Sequence, residues 1–125
     1  MLGTARALAT VAVEDLQAAE RFYTRTLGLE VSGREGAEAI SFKARDSEVL
    51  VYRSELAGTN RATAVTWIVG DELDEIVRGL DEKGVAFQHY DLPGMSRSGH
   101  VHFAGEMRVA WFTDPEGNIH SLVTG

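Results

Sequence analysis

The sequence predicts an α+β chain made of two copies of a strand-helix-strand-strand-strand module, and three observations lead there. In each half, a β-branched run is followed by an apolar stripe at helical spacing. Each stripe begins after an aspartate and ends at a glycine, and Asp15 to Gly28 and Asp71 to Gly84 are both 13 residues apart. A shift of 56 residues lays Val13 on Val69, Asp15 on Asp71, Gly28 on Gly84 and Leu29 on Val85, and the order of elements around them repeats.

In the first copy, residues 7–13 (ALATVAV) read as a strand, and Asp15 is a good helix N-cap. Leu16, Ala19, Phe22, Tyr23 and Leu27 then recur at helical spacing, and Gly28 stands where a helix ends in a left-handed residue. Strands follow in LEVSG, AISFKA and EVLVYRS, the last two separated by the turn-like Arg45-Asp46-Ser47. In the second copy, TAVTWIVGD is a strand ending at Asp71, the cap of a helix whose stripe is Leu73, Ile76, Val77 and Leu80. Asp71, Glu72, Asp74 and Glu75 cluster where the helix dipole favours acids, which is a capping device rather than a catalytic pair. Gly84 stops the helix before the strand VAFQHYD; residues 91–99 read as an exposed loop, then HVHFAG and a closing hairpin around DPEGN. The modules span about 5–57 and 62–124 of a single domain.

Each module leaves one sheet face covered by its helix and the other open. Two copies can bury the open faces by curling around a shared concavity, a cupped, mostly antiparallel sheet with a central cleft. Strand alternation then places Val11, Val13, Val65, Trp67 and Val69 on the helix side, and Leu8, Thr10, Ala64, Thr66 and Ile68 toward the cleft.

Composition narrows the partners. The chain has 125 residues, 44% of them apolar, and a net charge of −7 with 12 scattered lysines and arginines. Binding nucleic acid or an anionic membrane needs concentrated basic surface, so neither is expected. No apolar run reaches the roughly 18 residues that span a bilayer, and Glu14-Asp15 come too early for a signal peptide, so the expected location is the cytoplasm. Without cysteine there are no disulfides, thiolate metal sites or cysteine nucleophiles. No phosphate loop or dinucleotide fingerprint occurs, so no nucleotide cofactor is expected.

Three segments, VAVEDLQAAERFYTRTLGLEV at 11–31, TWIVGDELDEIVRGLDEKGVAF at 66–87 and AWFTDPEGNIHSLV at 110–123, together resemble the vicinal oxygen chelate superfamily, the glyoxalase, bleomycin-resistance and extradiol dioxygenase group. The resemblance implies paired modules around a cupped site, commonly in a homodimer. It also implies, in the enzymes, a divalent metal held by His or Glu from the first and fourth strands of each module. Carried onto this chain, those positions fall at Leu8, Ala64, Ser121 and, within EVLVYRS, Val51. Three are hydrocarbons and the fourth a neutral hydroxyl, so no cofactor or metal is expected there and no catalytic residue is assigned.

Other chemistry is thinly supported. His100 and His102, two apart, would share a strand face that a metal could bridge, with His120 or Glu106 to complete the set. That is the basis of an alternative reading as a metal-dependent lyase, isomerase or dioxygenase with unconventional ligands. Ser121 and His120 are strand neighbours facing opposite ways and no nucleophile elbow exists, which disfavours a serine triad. Among Trp67, Trp111, Phe112, Phe42, Tyr52 and Phe103, core packing accounts for most, and one of Trp111 and Phe112 faces the cleft. The expected function is therefore binding of a small apolar or aromatic molecule, such as an antibiotic, by a metal-free protein whose cleft is walled by Leu8, Thr10, Val51, Ala64, Thr66, Trp111 and Ser121.

Overall fold

In the computed structural model, which describes residues 1–125, the chain divides into two compact units, Met1–Ala57 and Gly58–Gly125. The first contains β1 (Ala9–Val13), α1 (Leu16–Arg21), β2 (Glu30–Glu35), β3 (Ala39–Ala44) and β4 (Ser47–Arg53). Its sheet runs β1-β4-β3-β2, with β1 and β4 parallel and the other pairs antiparallel. Asp15 caps α1 as expected, its carboxylate accepting from the Ala18 N–H at 3.0 Å. The predicted helix does not stay α-helical to Gly28. Residues Phe22–Thr26 widen into a π-helical turn, and the Thr24 hydroxyl donates to the Glu20 carbonyl at 2.6 Å, a back-bond that loosens the helix. Gly28 closes the segment at φ 79, a conformation glycine adopts without penalty.

The helix side of this sheet is the core of the unit. Tyr23 stacks on Phe42 with centroids 5.5 Å apart, and Phe42 shares its face with Ile40, Val49, Val51, Val11 and Val13, all buried.

The second unit contains β5 (Thr63–Ile68), α2 (Leu73–Glu82), β6 (Phe87–Gln88), β7 (Ser96–Ser98), β8 (Val101–Ala104), β9 (Met107–Thr113) and β10 (Ile119–Val123). Its sheet runs β5-β10-β9-β8-β7, with β6 on β9 and only β5 and β10 parallel. The sheets are open rather than closed into a barrel, and the helix count and strand mixture are those of the predicted α+β class. No helix is long and apolar enough to cross a membrane.

Three details depart from expectation. Asp71 does not cap the second helix: it sits in a 3₁₀ turn, Gly70–Glu72, set off by Gly70 at φ 60, and α2 starts at Leu73 without a side-chain cap. The strand at 85–91 shrinks to two residues. Residues 91–99 are not wholly loop, because Ser96–Ser98 pairs with β8 across the two-residue turn Gly99-His100. Gly99, at φ 60, supplies the left-handed position that such hairpin turns need.

The DPEGN turn is tied by one buried side chain. Asp114 Oδ1 accepts from the N–H groups of Glu116 and Asn118 at 3.0 and 2.9 Å, and Oδ2 from the Asn118 amide at 2.9 Å. Against this turn, Gly58 sits at φ +72 where an added Cβ would lie 2.2 Å from the Glu116 carbonyl oxygen. Gly58→Ala should therefore destabilise the protein beyond the roughly 1–2 kcal/mol of a left-handed alanine. Gly36→Ala, at φ +56 with nothing within 4 Å, should show the conformational cost alone. Urea unfolding of both variants separates the two contributions.

Candidate functional site

The β9–β10 ladder assigns the faces of the second sheet. Ser121 pairs with Trp111 and with Thr66, so these three side chains share one side; Gln88, opposite Trp111 on β6, joins them. Alternation along β5 adds Ala64 and Ile68. The Thr66 and Ser121 hydroxyls hydrogen-bond at 2.8 Å, Ser121 is 4% exposed, Thr66 is exposed, and Trp111 is half-buried. His102, opposite Val109, and hence level with the Trp111 side, lies edge-on to Trp111 at 4.8 Å, as does Tyr90 at 4.8 Å. This side is the open face in the sense that α2 packs on the other, where the Arg108 guanidinium, one residue out of phase, pairs with Asp74 of the helix; it is exposed at Thr66 and Ile68 and covered at His102, Val109 and Ser121.

On that helix side, Phe112 pairs with His120, and His120 is sandwiched between Phe112 (4.7 Å) and Trp67 (6.1 Å). Trp67 Nε1–H donates to His120 Nδ1 at 3.0 Å, which requires a lone pair there and so a neutral ring. Burial pushes the His120 pKa down from 6.5 to about 4, and the Asp114 carboxylate opposes the shift without reversing it. His120 and Ser121 thus point to opposite faces and form no nucleophile-base pair. The choice between Trp111 and Phe112 is resolved: Trp111 is on the open face and Phe112 in the core.

In the first unit, Thr10 and its partner Leu50 lie on the face opposite the Val11–Val51 pair. Leu8, just before β1, is 41% exposed, and its carbonyl accepts from the Thr10 hydroxyl at 3.2 Å. Val51 is a correction. It is fully buried on the helix side of its sheet, because β4 alternates so that Leu50 and Tyr52 take the open side.

The histidines are a second correction. His100 is not on a strand with His102; it occupies the β7–β8 turn, where its ring stacks on Phe87 at 4.3 Å. Its Nε2 is 3.0 Å from Asp81 Oδ1 of α2, and its Nδ1 is 2.9 Å from Nε2 of His89. His89 is held below its ordinary pKa, first by lost hydration, then by Arg97, His100 and His102. His102 is fully buried, and its Nε2 accepts from the Tyr90 N–H at 2.9 Å. That bond places the ring proton on Nδ1, where no acceptor meets it. Glu106 lies exposed in the β8–β9 turn and completes no set. Sequence reasoning missed Gln88 and Tyr90, whose only signal is period-2 alternation after Gly84, and His89, which leaves none.

Nowhere do three or more His, Asp or Glu side chains converge on one point that could hold a metal. The positions that correspond to metal ligands fit one no better: Leu8 and Ala64 have no lone pair, the open-side residues near Val51 are Leu50 and the phenol Tyr52, and the Ser121 hydroxyl is engaged by Thr66.

The chain belongs to the Glyoxalase/Bleomycin resistance protein/Dioxygenase superfamily, whose family description matches residues 6–121. Solved structures agree in fold. An integron cassette protein, HFX_CASS4, from the mobile metagenome of the Halifax Harbour sewage outfall superposes with a TM-score of 0.71 at 18% identity, over 96% of this chain and 99% of that one. The genomically encoded fosfomycin resistance protein FosX of Listeria monocytogenes gives 0.74 at 16% identity, over 98% and 93%. Lactoylglutathione lyase from Agrobacterium tumefaciens gives 0.71 at 17%, over 96% and 92%. No curated protein matches the chain in sequence.

His120 makes stability pH-dependent. Its folded pKa of about 4 lies below its ordinary 6.5, so between those values the unfolded chain takes up a proton that the folded chain refuses. The contribution is complete above pH 6.5 and is lost as pH falls toward 4, amounting to about 3 kcal/mol. His120→Gln should remove that share of the slope, measured as the difference between wild-type and variant unfolding free energies from pH 7 to 4.

Proposed function

We propose that this protein binds a small apolar or aromatic molecule and holds it without transforming it. The ligand rests on the open face of the second sheet, against Trp111, Ala64 and the Thr66–Ser121 hydroxyl pair. Leu8 and Thr10 are the equivalent open-face residues of the first unit; Val51 is withdrawn from the set because it is core. The observation that carries the reading is the Thr66–Ser121 bond beside Trp111: where the superfamily's enzymes aim a metal ligand, this chain has a hydroxyl already satisfied by its neighbour.

Such a face suits a planar guest. A ligand burying about 500 Å² of apolar surface gains about 12 kcal/mol, which leaves micromolar affinity after about 4 kcal/mol of lost translational freedom. The net charge of −7 favours a cationic one. Sequestration of an aromatic antibiotic or metabolite by a cytoplasmic homodimer is the role that fits best.

A thermal-shift screen of planar aromatic antibiotics, cationic ones included, should find compounds that raise the midpoint, since a molecule binding only the native state stabilises it. Trp111→Ala should weaken a hit at least tenfold, and Ala64→Trp should block it by filling the face. A hit that stabilises both variants as it does the wild type places the ligand elsewhere and refutes the assignment.

A further inference from the structure

We infer that His89 and His100 form a two-histidine site for a divalent copper or nickel ion, with the Asp81 carboxylate behind it. The site is separate from the ligand face and does not depend on the reading of it.

The spacing is the first argument. Two imidazole nitrogens bound to one ion at about 2.0–2.1 Å stand roughly 2.9 Å apart when they subtend a right angle, and roughly 3.4 Å apart in a tetrahedron. His89 Nε2 and His100 Nδ1 are 2.9 Å apart. That suits cis positions of a square-planar or tetragonal ion, the geometry of Cu²⁺ and Ni²⁺ with nitrogen and oxygen ligands.

A hydrogen bond between the two rings has the same length; the surroundings supply the second argument. The Asp81 carboxylate accepts the His100 Nε2–H at 3.0 Å, which fixes the tautomer and leaves the Nδ1 lone pair facing His89. A carboxylate on the far nitrogen is the usual backing of a metal-bound histidine, orienting the ring and raising its basicity. Phe87, stacked at 4.3 Å and 12°, keeps the His100 ring in its plane. His89 is exposed, so its ring can pivot until both lone pairs point at one ion. Three elements thus converge here: the last turn of α2, the segment after β6, and the β7–β8 turn. With no third protein donor, water fills the remaining positions. Arg97, held to the Gly99 carbonyl at 2.7 Å, is the opposing charge nearby.

Calorimetric titration of the untagged full chain with Cu²⁺, Ni²⁺ and Zn²⁺ in a non-chelating buffer tests this. One ion per chain is expected, with Cu²⁺ bound most tightly and Ni²⁺ ahead of Zn²⁺, and the copper form should show two nitrogen couplings by electron paramagnetic resonance. His89→Ala and His100→Ala should abolish the site; Asp81→Asn should weaken it about tenfold or more. Glu106→Gln should leave it unchanged. If either alanine variant melts early without metal, the glutamine variants at the same positions replace it. No saturable Cu²⁺ or Ni²⁺ binding, binding that survives both histidine replacements, or Zn²⁺ bound most tightly would overturn the assignment.

Discussion

The β9–β10 ladder is the constraint on which the second unit depends. Side chains alternate along both strands, so pairing Trp111 with Ser121 obliges Phe112 to pair with His120. A slip of one residue would exchange the sets, exposing a neutral, aromatic-sandwiched imidazole and burying a serine beneath the helix. The turn resists the slip. Asp114 accepts three hydrogen bonds within it, and the backbone closes it again through Asp114 N–H to the Asn118 carbonyl at 3.0 Å. One buried carboxylate in a surface turn thereby determines which chemistry faces outward two residues and more away.

The two units repeat a frame and diverge in its furnishing. Both start from a strand, run through a helix ended by a left-handed glycine, and join their first and last strands in parallel. The first caps its helix with Asp15 and then lets it widen; the second enters its helix through a 3₁₀ turn, and outside β8, which lies beside β9 as β2 lies beside β3, it adds a further edge strand, β7. The turn that leads from this added strand into β8 carries His100, whereas His102 sits on β8 itself.

Much of this was legible in the sequence. Equal intervals between aspartate and glycine exposed the repeat, and alternation placed Val11, Val13 and Val65 in the core and Ser121 opposite in sense to His120. Alternation is blind to phase when a motif fixes a position only to within a residue. Val51 went to the wrong side for that reason: one step along β4 is the difference between core and surface. His100 and His102 show a different limit. Their spacing implies a shared face only if both lie on one strand, and Gly99 converts the first into a turn residue. Partners supplied by distant elements, such as Asp81 from α2 and His89 from beyond β6, leave no local pattern at all.

The parallel closing strands carry a further consequence for the order in which the polypeptide can fold. In the first unit β1 meets β4 within some 40 residues, so that sheet can assemble as soon as Arg53 is available. In the second, β5 has no neighbour other than β10, and must wait with its ladder groups unpaired until residues 119–123 are made. Until those residues are made, β5 has no strand to pair with, and it presents Ile68, 77% exposed even in the native state, as an unpaired apolar edge.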